Sequence, residues 1–180
     1  MKNTATINYR LLNRDELPAI WKIDRREIVN NIYYYRPDGL ELIEEFYNVP
    51  GWPPGEPEQY GPMLGECYQN GGWFWGAFEA DRLVGTAILT GIFCKSGQSR
   101  LQLLFLHVSR GYRHTGIGRT LFESAVKEAR HRQAKEMVIS ATPSENTIHF
   151  YLIRGCIVDP HPDPDMLQLE PEDIHLTMLL

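Results

Sequence analysis

The chain has 180 residues, 43% of them hydrophobic and 23% charged, with a formal net charge of -5. This composition excludes a disordered, collagen-like or coiled-coil protein and is enough for one sizeable core. No apolar run reaches the roughly 18 residues of a membrane span, the longest (residues 101–108) being interrupted by Gln102 and His107, and the first residues, MKNTATINYRLL, hold no apolar stretch leading to a small-residue cleavage site, so one cytoplasmic domain with no membrane partner is expected.

Ile7, Tyr9 and Leu11 alternate with polar residues and predict a half-buried strand. Asp15 is placed to cap a helix, with Glu16 in the first turn and Pro18 where a missing N–H costs little. Leu17, Ile20, Trp21, Ile28 and Ile32 then lie on a helical stripe, predicting a helix to about Ile32. Residues 33–65 mix Tyr33, Tyr34, Tyr35, Tyr47, Trp52 and Tyr60 with six prolines. That stretch is too broken for a long regular element and reads as a lid-like insertion.

Residues 73–79 and 83–89, with a turn between them, predict an antiparallel hairpin, and residues 101–108 a central strand. Ile117, Leu121, Ala125, Val126 and Ala129 recur at helical spacing and predict an amphipathic helix over about 116–132. A strand over 137–141, a helix over 146–153 ended by Gly155 and a terminal strand over 174–179 complete the order. Such an order gives an α+β (mixed α/β) domain around one central sheet.

Charge is uneven. Residues 37–81 contain nine acidic residues and no Lys, Arg or His, whereas residues 95–135 carry nine Lys and Arg against Glu123 and Glu128. The basic stretch lacks interleaved aromatics and the chain is acidic overall, which argues against nucleic acid and leaves a compact phosphate ligand. The acidic stretch suits a cationic partner or is simply a solvated face. Cys67, Cys94 and Cys156 are odd in number and widely spaced, as expected of reduced thiols. The six histidines show no metal-ligand spacing, so no metal is expected.

The strand ending at Val108 runs into Ser109-Arg110-Gly111-Tyr112-Arg113-His114-Thr115-Gly116-Ile117-Gly118-Arg119 and then the amphipathic helix. At such a helix start unpaired N–H groups and the helix dipole converge, glycines allow close approach, and Arg113 and Arg119 add charge, all of which suits a phosphate. No Gly-Lys-Ser/Thr follows and the full G-x-G-x-x-G pattern is absent, which disfavours a nucleotide hydrolase or a dinucleotide-dependent dehydrogenase.

Arg113-x-x-Gly116-x-Gly118 after a strand resembles the pyrophosphate loop of the GNAT N-acetyltransferase superfamily. The segment from Thr142 through Asn146 and Phe150-Tyr151 to Gly155 resembles that family's second signature. The resemblance extends over about residues 5–180 and implies a single GNAT domain (1–180) with its lid-like insertion at about 33–65. Its sheet would be mostly antiparallel and twisted, splayed open after Val108, and flanked by helices on both faces. It implies acetyl-CoA as co-substrate, the backbone of Leu106 and Val108 on the pantetheine arm, residues Arg113, His114, Thr115, Gly116, Ile117, Gly118 and Arg119 on the pyrophosphate, and Asn146 near the arm. Tyr151 corresponds to the tyrosine that protonates the departing thiolate.

The implied activity is direct acetyl transfer, in a ternary complex, to the amine of a cationic small molecule or peptide, by a monomer or homodimer. Alternatives are a non-catalytic acyl-CoA sensor or interaction module and a generic phosphate-binding module. Transfer requires a neutral amine, a polarised carbonyl and a protonated thiolate. The family's usual base positions fall on Gln102 and Leu104, which cannot serve. His107 has the opposite strand parity and faces away unless a bulge rotates it. Glu79 and Glu66 are the other candidate bases, beside a water chain with no dedicated base.

Overall fold

In the computed structural model, which describes residues 6–94 and 99–180, seven strands form one sheet in the order β1-β4-β5-β6-β7-β9-β8. The strands β1 (Ile7–Leu11), β4 (Trp73–Glu79), β5 (Arg82–Leu89) and β6 (Arg100–Val108) run antiparallel to one another. β7 (Glu136–Ala141) lies parallel to β6, and β9 (Ile174–Leu179) and β8 (Ile157–Val158) extend the sheet antiparallel. Lys95 of the basic stretch lies outside the described residues.

Helices cover both faces, as the sheet's two apolar surfaces require. On one side α2 (Ile117–His131) buries Ile117, Leu121, Phe122, Ala125, Val126 and Ala129, the stripe its periodicity predicts. It is joined there by α3 (Glu145–Leu152) through Ile148 and Tyr151. On the other side a 3-10 helix (Arg14–Lys22) and α1 (Glu56–Gln69) pack Ile20 and Leu64 against Phe74, Phe78, Ile88 and Phe105. Each such side chain contributes about 1.5–3 kcal/mol by leaving water. A short helix α4 (Pro164–Leu169) precedes β9. Among the described residues no helix is long and apolar enough to cross a membrane.

Two expectations fail in the amino-terminal third. The helix predicted to about Ile32 ends at Lys22 and is a 3-10 helix, capped at Asn13 rather than Asp15, with the Glu16 carboxylate accepting from the Asn13 N–H at 2.8 Å. Pro18 removes a donor inside it. Ile28 and Ile32 lie instead on a strand, β2 (Glu27–Arg36), whose β-branched and aromatic sequence EIVNNIYYYR favours extended backbone. It pairs antiparallel with β3 (Gly39–Val49) as a separate hairpin.

Residues 33–65 thus hold more regular structure than their prolines suggest, two strands and the first part of α1 joined by residues 50–55, with Pro62 inside that helix. Pro37 falls in the hairpin turn, Pro50, Pro53 and Pro54 in the connection to α1, and Pro57 in the first turn of α1, where the ring is tolerated. The hairpin docks beside α3: the Tyr33 N–H donates to the Pro143 carbonyl at 2.8 Å, and Asn31 Nδ2 to Glu145 Oε2 at 2.6 Å.

Candidate active site

The parallel pairing of β6 with β7 covers only Arg100–Gln102 against residues 136–138. Beyond it β6 stays with β5 and β7 with β9, and a cleft of about 490 Å³ opens between Leu104, Leu106 and Val108 on one wall and Ser140 and Ala141 on the other. The Ser109 N–H donates to the Val84 carbonyl at 2.8 Å, and that sets the parity of the antiparallel ladder. The backbone polar groups of Leu106 and Val108 therefore point away from β5 and toward the opening, where the Val108 carbonyl accepts from Arg113.

A bulge changes what this strand offers. Ile88 pairs with Phe105 and Leu89 with Leu103, which leaves Leu104 without a partner. Leu101 and Leu103 face α2 before it, and Leu106 and Val108 face that side after it. Phe105 and His107 are thereby carried to the opposite side, with ring centroids 6.1 and 5.0 Å from Trp52. The parity argument against His107 is thus overturned, because the extra residue supplies the rotation that regular pleating denies.

At one end of the cleft lies the glycine loop. His114 (φ +62°) and Gly116 (φ +91°) are both left-handed, separated by Thr115, whose hydroxyl donates to the Tyr112 carbonyl at 2.6 Å. Such alternation turns successive N–H groups toward one concavity. The first intrahelical bond runs from Thr120 N to Gly116 O, so the N–H groups of Ile117, Gly118 and Arg119 are outside the helix ladder, at its positive end.

The arginines behave less simply than their charge implies. Arg113 is turned inward: its Nε donates to the Val108 carbonyl at 3.1 Å and its Nη1 pairs with Glu27 at 3.2 Å. Arg119 pairs with Glu123 along α2 while remaining 70% exposed. Glu27 also accepts from Asn146 Nδ2 at 3.2 Å, so one carboxylate joins the loop to α3 across the mouth. Arg154, stacked on Phe150, has its pKa lowered by burial and by neighbouring Arg119, as expected where an anion is wanted.

At the other end the lining residues Arg25, Phe105 and His107 are backed by an aromatic and acidic cluster. Trp52 donates its indole N–H to the Ile23 carbonyl at 2.9 Å and carries the Arg25 guanidinium 4.5 Å above its ring. Arg25 pairs with Glu56 at 3.1 Å, and the Tyr60 hydroxyl donates to Glu170. Burial, then Arg25 and Arg113, hold the His107 pKa well below its ordinary 6.5, so the imidazole is neutral. Tyr151 is 5% exposed, lines the cleft, and has its pKa raised by burial, which keeps the phenol protonated. Asp173, on the loop before β9, accepts from the Ser140 hydroxyl at 2.9 Å. Burial chiefly, with Glu170 adding, pushes its pKa up to about 6.

The cleft therefore gathers Leu106, Val108, Arg113, His114, Gly116, Gly118, Arg119, Asn146, Tyr151 and His107. Two predicted bases lie elsewhere. Glu79 accepts a hydrogen bond from the Tyr112 hydroxyl outside the cleft lining, and Glu66 is exposed on α1. Glu27, Arg25, Ser140 and Asp173 were not singled out from sequence. Only Ser140 had a readable signal, namely strand parity opposite to the core-facing Ile139.

A family model described as acetyltransferase (GNAT) family matches residues 38–155. No curated protein sequence matches the chain. Among solved structures, nourseothricin acetyltransferase is 18% identical, with a TM-score of 0.70 over 98% of this chain and 99% of that one. PaiA N-acetyltransferase from Thermoplasma acidophilum, in complex with coenzyme A, is 18% identical with a TM-score of 0.64 over 97% and 99%. The ribosomal-protein-S18-alanine N-acetyltransferase of Escherichia coli is 16% identical with a TM-score of 0.62 over 97% and 94%. With a family model spanning more than half of its length and a sheet that splits beside a glycine loop, this chain belongs to the GNAT acetyltransferase family and is an acyltransferase.

Proposed function

We propose that the protein transfers the acetyl group of acetyl-CoA directly to the amine of a cationic small molecule or peptide bound in the same cleft. The observation that carries this reading is the parting of β6 from β7, which leaves the backbone groups of Leu106 and Val108 unpaired by strands between the glycine loop and the Phe105 and His107 rings. Residues 113–118 would hold the pyrophosphate through their amides, with Arg119 and Arg154 supplying charge. Arg113 serves mainly to fix the loop to β6 and β2. Asn146 stands at the mouth, within reach of the coenzyme arm.

Chemistry then follows from position. Holding thioester and amine together supplies much of the acceleration. A strand N–H beside the thioester steadies the developing oxyanion. Tyr151, protonated throughout the working range, hands a proton to the departing thiolate. The acceptor would meet Phe105, His107 and Ser140 on the cleft wall, with Trp52 packed behind the two rings and Glu56, Glu170 and Asp173 in the layer beyond, a setting that favours a positive charge near an apolar body.

Calorimetric titration with acetyl-CoA, with ATP as the control, tests the coenzyme. Saturable binding of acetyl-CoA alone is expected, followed by acetylated product from a panel containing nourseothricin, spermidine and an alanine-terminated peptide. Equal binding of ATP, or none of either, overturns the loop assignment. Acetyl-CoA binding without turnover of any amine would instead support the sensor reading.

A further inference from the structure

The acetyl-transfer reading leaves one role unfilled, the group that takes the proton from an ammonium acceptor. His107 is poorly suited, since burial, and then Arg25 and Arg113 facing it, disfavour a further positive charge there. Glu56 is committed to Arg25, and Glu170 to the Tyr60 hydroxyl. Glu79 is outside the cleft and Glu66 is on the exposed side of α1.

The strand β7 supplies a different route. Ile139 and Ala141 point into the core beneath α2, so the residue between them points the other way, and Ser140 lines the cleft on the wall opposite Leu106. Its hydroxyl donates to Asp173 Oδ2 at 2.9 Å. Register explains the meeting: Ser140 pairs with His175 and Ala141 with Ile174, which sets the residue just before β9 alongside Ser140. The resulting pair joins the cleft to a carboxylate held behind it.

We propose that Ser140 and Asp173 form the proton-accepting pair of the acceptor half, Ser140 touching the acceptor and Asp173 acting through it. An ammonium acceptor gives one proton to Ser140 Oγ while the hydroxyl proton of Ser140 passes to Asp173, and solvent later receives it from Asp173. The freed nitrogen lone pair forms the C–N bond to the acetyl carbon, and the C–S bond breaks with its electron pair on sulfur. The second nitrogen proton replaces the one Tyr151 gives to that sulfur. Nothing is oxidised or reduced, and no further reactant is needed.

The surroundings tune this pair to the task. Asp173 is faced by Glu170 from its own loop, Tyr60 from α1, Tyr151 from α3, Ser140 from β7 and Arg25 from the segment before β2. Burial, with Glu170 adding, raises its proton affinity, and the Ser140 hydrogen bond, then Arg25, oppose them, giving the value of about 6. A base poised there is ionised at neutral pH and yet binds a proton far more readily than an ordinary carboxylate.

The test compares the wild type with Asp173→Asn, Ser140→Ala and Asp173→Glu. Acetyl-CoA affinity is read first by calorimetry and should be unchanged in all four; a wild type that fails to bind it sinks the acetyl-transfer reading itself, not this pair. CoA release is then followed from about pH 5 to about pH 9 with nourseothricin, with spermidine and with water alone as acceptors. The expected result is a wild-type limb that falls below about pH 6, and about a hundredfold loss of rate together with loss of that limb in Asp173→Asn. Ser140→Ala should lose about tenfold or more, and Asp173→Glu should recover part of the rate with a displaced limb.

Three results overturn the proposal: an Asp173→Asn variant that binds acetyl-CoA and keeps both rate and limb, a limb that persists while only the rate falls, and a wild type that binds acetyl-CoA but speeds none of the three reactions. The last counts because water fits any acceptor pocket, and a working proton acceptor beside the thioester must hasten at least hydrolysis.

Discussion

Gly116 and Gly118 look alike in the sequence yet answer to different constraints. Nothing lies within 4 Å of a Cβ built on Gly116, but its φ of +91° is one that side chains resist. A Cβ on Gly118 would make ordinary contact with Phe150 at 3.4 Å and Val108 at 3.6 Å. Gly116→Ala should therefore cost about 1–2 kcal/mol of folding stability, read as a lowered denaturant midpoint with unchanged slope. Gly118→Ala should leave that midpoint nearly in place while weakening acetyl-CoA, because the methyl group stands in the cleft beside Phe150 and Val108, where the proposed coenzyme must lie. Tyr151→Phe makes the complementary test in the same cleft. It should lower turnover about a hundredfold with acetyl-CoA affinity little changed, and equal turnover would remove Tyr151 from the proton path.

Elements set those residues in place, and they were legible to different degrees. The stripe of Ile117, Leu121, Ala125, Val126 and Ala129 reports its helix because α2 buries one face and solvates the other. The residues of β2 misled because Ile28 and Ile32 fit a helical spacing as well as a strand, and only the β-branched and aromatic character of their neighbours argues for the latter. The loop from Arg113 to Gly118 was readable as a phosphate seat, but its arginine was not readable as an internal brace, since that depends on Glu27, far off in sequence, arriving beside it. The bulge at Leu104 and the meeting of Ser140 with Asp173 are likewise products of pairing register, which no local pattern encodes. Glu27 gives the element scale its own prediction. Its carboxylate links β2 to both the loop and α3 at the place where a polyanion must enter, so Glu27→Gln should tighten acetyl-CoA severalfold in calorimetry. Weaker binding would mean that the brace matters more than the charge.

Across the whole molecule the uneven charge of the sequence gathers into two clusters, one behind the His107 end of the cleft and one at the start of α2. Part of the acidic stretch is spent on the solvated hairpin, where Glu45 accepts from Tyr34 and Tyr47, and Glu79 is taken by Tyr112. Behind the His107 end of the cleft, around Arg25 and Tyr60, gather Glu56 from that stretch and, from the far end of the chain, Glu170 and Asp173. At the other end Arg119 and Arg154 stand beside the helix N-terminus. The proposed cationic acceptor would be drawn to these carboxylates by a field that ions screen, over about 30 Å at 0.01 M salt and about 8 Å at 0.15 M. The KM for spermidine should therefore rise severalfold between those two conditions while kcat holds, because screening acts on encounter and binding rather than on the pair that moves the proton. Acetyl-CoA must be kept saturating at both salts, since its own phosphates meet the opposite end through the same kind of force. A KM that stays level as salt rises would mean that the acceptor is held by contact with Trp52 and Phe105 rather than by charge, and the cationic substrate class would have to be given up.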